Sequence, residues 1–324
     1  MGDIMDKFLC GIDLGGTKIN TVIITNKGEM VSSYTLPTLA HEGPEKVIQR
    51  MKETVYKVLE DAKLDVSDLE GIGVASPGPL DAKKGIVLNP PNLPGWIDIT
   101  LAKILEDEFK IPVKLQNDAN CAALAEYYFG AGNRTKNFVY ITISTGIGGG
   151  AIIDGKLYDG ANSNAAEFGH ASINFDGEKC QCGSYGCFEM YASGTALANF
   201  AAKEIEKGRE SVIKDIAKDG KITAKDVFEA YKMGDNLAKE LIEREAFYLG
   251  VGIANIIMNY NPEVIALGGG VANGFDILYP IMIKTVEERC YKASFEGCKI
   301  VKAKLGQNSG AIGAAVLNIV FSKN

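Results

Sequence analysis

At 324 residues the chain is longer than one hydrophobic core usually supports, so two lobes are expected, and a hydrophobic content of 46% marks an ordinary globular protein. Its formal net charge of -7 argues against a nucleic-acid or anionic-membrane partner, since either calls for a basic face, and favours a small-molecule substrate. No apolar run approaches the roughly 20 residues of a membrane span, and Met1 to Lys7 carry neither a signal-peptide core nor a myristoylation signal, so a cytoplasmic location is expected.

In chain order, residues 8–13 form a short apolar run, Gly15-Gly16-Thr17-Lys18 a turn, and 19–25 a second run rich in β-branched residues, which together read as a hairpin. Asn26-Lys27-Gly28 turns again into a third strand at 30–35. Pro44 opens a helix in which Val47, Ile48, Met51, Val55, Val58, Leu59 and Ala62 recur at helical spacing. A strand at 71–76 leads into a loop dense in proline and glycine, Pro77-Gly78-Pro79 through Asn92 to Trp96, broken by a short strand at 86–88. A loop of this length is usually functional. A helix at 101–109, a strand at 113–116, a helix at 118–129 and a strand at 137–143 follow. The opening pattern then returns as a glycine-rich turn over 145–150, a strand at 151–154, a turn at Gly155 and a short strand at Lys156, so the chain holds two similar halves. The remainder is mainly helical, notably 235–260, with strands at 264–267 and 300–303 and a closing helix at 311–321.

Seven cysteines in a chain this long are too sparse for a disulfide scaffold. Cys10, Cys121, Cys290 and Cys298 are scattered through apolar segments and read as small buried hydrophobes. Cys180, Cys182 and Cys187 form the pattern Cys-x-Cys-Gly-x-x-Gly-Cys, and His170 lies ten residues upstream. Three thiolates and one imidazole in so short a window are the donor set of a closed structural zinc site. The bland alternative is a chance cluster kept reduced.

The stretch Gly11 to Lys18 looks at first like a P-loop, but its threonine and lysine stand in the wrong order and it leads into a strand rather than a helix. Backbone N–H groups at such a turn still close on a phosphate, and Asp13 at the strand end is placed for a hydrated Mg2+; the alternative is an ordinary hairpin turn. A second glycine turn with Thr145, Gly146 and Gly148 in the equivalent place of the second half would clasp a nucleotide from the other side. Gly268-Gly269-Gly270, after a buried strand, lets a flat purine ring approach the backbone. Asn117-Asp118 stands where a strand ends and a helix begins, the usual place for a catalytic carboxylate on an α/β scaffold and equally for a helix N-cap. Glu167 and Glu189 flank the cysteine cluster. A zinc-bound imidazole keeps one nitrogen free to donate a hydrogen bond, here to a substrate hydroxyl.

Asp13-Leu-Gly-Gly-Thr-Lys18, Asn117-Asp118, Thr145-Gly-Ile-Gly-Gly-Gly150, Glu167-Phe-Gly-His170 and Cys180-x-Cys-Gly-x-x-Gly-Cys-x-Glu189 together resemble the ROK family of sugar kinases and related repressors, in order and spacing from end to end. The resemblance implies an α/β fold of the actin-like, hexokinase-like (ribonuclease H-like) ATPase class, with a duplicated βββαβα core. A small lobe at 1–117 would take back the C-terminal helix at about 309–324, and a large lobe would span 118–308 with a zinc-binding loop at 170–189. It further implies that Asp118 is the general base, that Asn92, Asn117, Glu167, His170 and Glu189 hold the sugar, and that His170, Cys180, Cys182 and Cys187 bind structural Zn2+. Asp13, Gly15, Gly16, Thr17, Lys18, Thr145, Gly146 and Gly148 would hold the phosphates and Mg2+ of ATP, with Gly269 and Gly270 near the nucleoside. Repressors of the family carry an N-terminal helix-turn-helix domain, whereas here seven residues precede the first strand. Asn92-Leu-Pro-Gly-Trp96 and the Glu167 to His170 segment look most like the glucokinase branch, which implies glucose and ATP as partners and glucose 6-phosphate as product. Another hexose, fructose, mannose or an N-acetyl amino sugar, and a non-catalytic sugar sensor are the alternatives. A homo-oligomer, dimer or tetramer, is expected from the resemblance alone.

Overall fold

The structure, a computed structural model, describes residues 8–320. The expectations for residues 1–7 and for the last residues of the closing helix, 321–324, lie outside the described residues. The first half runs β1 (Phe8–Leu14), β2 (Lys18–Ile24), β3 (Met30–Pro37), α1 (Pro44–Ala62), β4 (Leu69–Ser76), the small hairpin β5 (Leu80–Asp81) and β6 (Ile86–Val87), α2 (Leu101–Phe109), β7 (Val113–Asn117) and α3 (Asp118–Phe129). The second runs β8 (Phe138–Ile143), β9 (Ile147–Ile153), β10 (Lys156–Leu157), α4 (Glu189–Ala192), α5 (Gly194–Glu206), α6 (Ile213–Ile216), α7 (Ala224–Lys232), α8 (Asn236–Tyr260), β11 (Val264–Gly268), α9 (Phe275–Arg289), α10 (Lys292–Glu296), β12 (Lys299–Lys302), α11 (Ser309–Ala315) and α12 (Leu317–Val320).

The duplication read from the glycine turns is present in the sheets. The first sheet has the order β3-β2-β1-β4-β7 and the second β10-β9-β8-β11-β12. In both, an antiparallel meander is followed by two parallel strands. Parallel strands are covered on both faces and therefore read as continuous apolar runs, as β4 and β11 do, whereas the edge strand β3 alternates. Successive residues of β1 face opposite sides: Cys10, Ile12 and Leu14 pack with α1 and α2, while Leu9 faces the middle of the molecule. The second sheet does likewise, with Val139, Ile141 and Ile143 on the outer core and Phe138 and Tyr140 inward.

Between the sheets lie α3 and α11, each having crossed from the half that precedes it: α3 packs on β8 and β9, α11 on β1 and β4. The helices approach the strands and each other closely at several small residues. A Cβ on Gly11 or Gly73 would come within 2.0 or 1.7 Å of the Ala311 and Ala314 carbonyl oxygens, and one on Gly313 within 1.6 Å of the Cys121 carbonyl oxygen. This is why α3 and α11 are rich in alanine and glycine rather than amphipathic.

Three readings shift. Leu80–Asp81, taken as loop, pairs with Ile86–Val87. The second glycine turn is narrower than 145–150: it closes at Ser144 to Gly146 through the Ser144 N–H to the Gly146 carbonyl (2.9 Å), and Gly148, Gly149 and Gly150 lie inside β9. Those glycines serve packing, since Cβ atoms at Gly149 and Gly150 would strike the Phe168 ring and Ala123. The closing helix is two helices with a turn at Val316, whose carbonyl takes the Ile319 and Val320 N–H groups.

Among the buried carboxylates Glu126 is satisfied by the backbone N–H groups of Ala131, Lys304 and Leu305, whereas Glu245 is not. Glu245 on α8 is 1% exposed and neither carboxyl oxygen has a hydrogen-bond partner among the described residues. Burial raises its pKa well above the usual carboxylate value, only partly offset by the charge of Arg244. A raised carboxyl pKa means that the folded state holds the proton more tightly than the unfolded chain does. Stability is therefore greatest below the unfolded value of about 4.3 and is lost as pH rises from there toward the folded pKa. Glu245→Gln is expected to raise Tm by several degrees near pH 8, on the order of 1–3 kcal/mol, and by progressively less toward pH 4. Melting curves of both proteins across that range check it; a gain independent of pH would show that ionisation is not the cause.

Candidate active site

Strands β1, β4 and β7 run parallel, as do β8, β11 and β12, so the carboxyl ends of both sets open on one cleft, the place where α/β sheets present ligand-binding groups. At the end of β7 the Asn117 Oδ1 accepts the N–H groups of Ala119 (2.9 Å) and Asn120 (3.3 Å) and so caps α3. Asn117, not Asp118, is the N-cap, and Asp118 opens on the cleft. Its carboxylate takes the Ala119 N–H at 2.8 Å. Asp118 is exposed to the cleft, yet the protein packed around it desolvates the carboxyl group and raises its pKa, against the Ala119 N–H and with the charge of Glu167.

Asn117 and Asp118 share a cavity of about 410 Å³ with Glu167 and His170, closed by Gly78, Pro79, Gly148, Ser163 and Asn164. That volume suits a small polar ligand. The expected base and three of the five other residues expected to hold a sugar are thus brought together. Asn92 is instead exposed beside the first glycine turn, where a Cβ on Gly16 would meet its side chain at 3.2 Å. Its loop is pinned by Leu93 and Trp96, both 0% exposed in the core of the first sheet. Glu189, first residue of α4, stands behind His170: Oε1 lies 3.5 Å from the His170 Nδ1 and Oε2 accepts the Ile147 N–H at 3.4 Å. Gly78, Pro79, Ser163 and Asn164 were not singled out from the sequence. The first two lie in the loop flagged as functional by its length; nothing in residue type marks the other two.

The first glycine turn is closed by the Gly15 N–H to the Lys18 carbonyl (3.0 Å) and backed by the Thr38 hydroxyl donating to the Gly15 carbonyl (2.6 Å). Thr17 is exposed, and the Lys18 Nζ reaches Gln307 at 3.3 Å. Asp13, at the end of β1, has its pKa raised to about 7 by desolvation and by the charge of Asp118, against the pull of Lys18. Two mutually repelling carboxylates at a cleft floor are a setting that a divalent cation stabilises. On the second half, Thr145 and Gly270 line a separate cavity of about 740 Å³ with Gly194, Thr195, Lys221 and Asn273, large enough for a nucleoside. Gly146 lies where a Cβ would be 2.6 Å from the Glu189 Oε2, so this turn touches the sugar-side segment. Gly269 takes φ +85 and lies against the Ile143 carbonyl, a structural turn beside that cavity rather than part of its lining.

The donor atoms of His170, Cys180, Cys182 and Cys187 all lie within 4.8 Å of one another. The Cys182 and Cys187 sulfurs are 3.6 Å apart, and the His170 Nδ1 is 3.8 Å from the Cys180 Sγ. Zinc–sulfur bonds of about 2.3 Å in a tetrahedron set sulfurs roughly 3.8 Å apart, so the set fits that ion. The loop folds back through bridges pairing Ser172 with Cys187 and Lys179 with Tyr185. Gly186 is obligatory in it, with φ +64 and a Cβ position 1.6 Å from the Asn174 carbonyl oxygen.

The ROK family model matches residues 9–320, nearly the whole described chain. The chain belongs to the ROK family. A glucokinase of Halalkalibacterium halodurans is 37% identical over 96% of this chain and 95% of its own length. A xylose repressor of Caldicellulosiruptor bescii is 30% identical over 96% of this chain and 78% of its own. Among solved structures, a ROK family glucokinase from Streptomyces griseus in complex with glucose and AMPPNP superposes with TM-score 0.79 at 33% identity, covering 96% of this chain and 98% of that one. These relationships establish an α/β hexokinase-like fold, and glucokinase relatives of nearly full length support sugar kinase activity. No helix among the described residues is long and apolar enough to cross a membrane.

Proposed function

We propose that the protein is a cytoplasmic glucokinase that transfers the γ-phosphoryl group of ATP to the 6-hydroxyl of glucose. The observation that carries this reading is Asp118, a carboxylate with a raised pKa lining a sugar-sized cavity, with a nucleotide-sized cavity across the second glycine turn. In this reading two lobes, 1–117 with the closing helix and 118–308, close on the substrates. Asp118 accepts the proton of the attacking hydroxyl, while Asn117, Glu167 and His170, joined by Asn92 and Glu189, orient the ring. Asp13, the Gly15 to Lys18 turn, Thr145 and Gly146 face the phosphates, and Gly270 the nucleoside. Phosphoryl transfer asks for such positioning and charge neutralisation more than for covalent chemistry. Mg2+ with ATP supplies charge neutralisation on the phosphates, and Asp13 is the residue placed to hold it. The Cys3His set would hold Zn2+ in a structural role, and with the His170 Nδ1 beside the Cys180 Sγ the Nε2 would be left for a sugar hydroxyl.

A second reading, a sugar sensor without turnover, draws on the likeness to a xylose repressor. Release of ADP measured with glucose, fructose, mannose and N-acetylmannosamine in turn separates the two. Glucose-dependent ADP release with the largest kcat/KM is the expected result. A faster reaction with another hexose would reassign the substrate, and none with any sugar would overturn the kinase reading.

A further inference from the structure

Gln116, the residue before Asn117 on β7, is fully buried and uses both ends of its amide. Its Oε1 accepts the Asn117 backbone N–H at 2.7 Å and the Asn120 Nδ2 at 3.2 Å, so it grips the chain on either side of Asp118. Two donors on that side fix the orientation of the amide, because a flipped side chain would set NH2 against N–H. The Nε2 must then find an acceptor, and it meets the Asp159 Oδ1 at 2.9 Å. Asp159 belongs to the other half of the molecule, in the loop after β10. Its own carbonyl takes the Ala165 N–H (3.3 Å), closing the loop that carries Ser163 and Asn164 into the cavity and ends at Glu167. Lys83, in the β5–β6 hairpin of the first half, is the cation that faces the half-buried Asp159.

We propose that Gln116 and Asp159 form a clasp across the two halves that positions the sugar-binding loop 159–167 against the turn holding the base. Both are positioning residues, and neither lines the cavity. The inference rests on the kinase reading for its consequence in turnover, but the clasp itself is a mechanical link. With the link cut, Ser163, Asn164 and Glu167 lose their register with Asp118, so sugar binding weakens. The nucleotide cavity, built on α5, α7 and the turn after β11, is untouched.

Gln116→Glu tests this selectively, since the new carboxylate still accepts from Asn117 and Asn120 but turns its second oxygen toward the Asp159 carboxylate. The sugar KM is expected to rise roughly tenfold, the worth of a charge-assisted hydrogen bond, with the ATP KM within twofold. Adding Asp159→Asn to Gln116→Glu exchanges donor and acceptor and should return the sugar KM to within about threefold of the parent. Asp159→Ala should impair as Gln116→Glu does, and Asp159→Asn alone, which keeps the acceptor oxygen, should not. A role in stability alone would leave both KM values unmoved. Unchanged sugar KM in Gln116→Glu and Asp159→Ala, or no rescue by the double substitution, overturns the clasp. Should the parent phosphorylate no hexose, the kinase reading fails separately and amide hydrogen exchange over 157–168 decides the clasp. Faster exchange in Gln116→Glu that the double substitution reverses upholds it, and unchanged exchange overturns it.

Discussion

Asp118→Asn is expected to lower kcat by about 10²–10⁴-fold while leaving the dissociation constants for glucose and ATP within a few-fold of the parent. The substitution preserves shape, and the remaining carbonyl oxygen still accepts the Ala119 N–H that the aspartate takes at 2.8 Å. Capping of α3 is unaffected because Asn117 performs it. What is removed is the ability to take a proton. Isothermal titration with each ligand, alongside a coupled ADP assay, measures both quantities, and a variant that turns over at the parental rate would end the assignment of the base. The acid side of the pH profile gives an independent check. Desolvation raises the Asp118 pKa above its ordinary value of 3.8, so in the free enzyme the active, deprotonated form is lost at a higher pH than for a solvated carboxylate. The profile of kcat/KM for sugar should therefore fall toward acid with a midpoint above that value. Asp13, with a pKa near 7, adds to the fall when it must be ionised to hold a cation.

The second large effect is expected from disrupting the candidate zinc site. Cys182→Ala is the informative substitution because Cys182 is exposed, whereas Cys187 is 0% exposed and its truncation would also leave a cavity. A change at Cys182 thus reports the lost ligand rather than lost packing. Structural zinc in small domains contributes on the order of 10–16 kcal/mol to folding of the loop that binds it, so three ligands are expected to hold the ion poorly. Elemental analysis is expected to find one zinc per chain in the parent and less than half of that in the variant. Because His170 lines the cavity while its Nδ1 stands in the thiol cluster, a loosened loop should raise the sugar KM by more than tenfold, with the ATP KM nearly constant. Zinc loss that left the sugar KM and the melting temperature unchanged would separate the metal from the pocket.

Much of this was legible before folding. Helices 101–109 and 118–129 have the bounds read from the sequence, because the apolar spacing of the first and the Asn117-Asp118 start of the second are local signals. The cluster of His170, Cys180, Cys182 and Cys187 was legible for the same reason, lying within one short segment whose Gly186 can be nothing larger. The second glycine run was misread in extent, since a glycine that lets a neighbour approach, such as Gly150 against α3, looks in sequence like one that turns the chain.

Residue type and spacing by themselves determined the two-half layout, the strand-to-helix seat of Asn117-Asp118 and the grouping of three thiols with one imidazole, each legible from short segments of the chain. Only the tertiary structure decided that Asn117 rather than Asp118 caps α3, that Ser163 and Asn164 wall the cavity while Asn92 stands by the first turn, and that Gln116 meets Asp159. Those outcomes depend on which faces α3 and α11 present between two sheets, and so on contacts between residues far apart in the chain that no local pattern encodes.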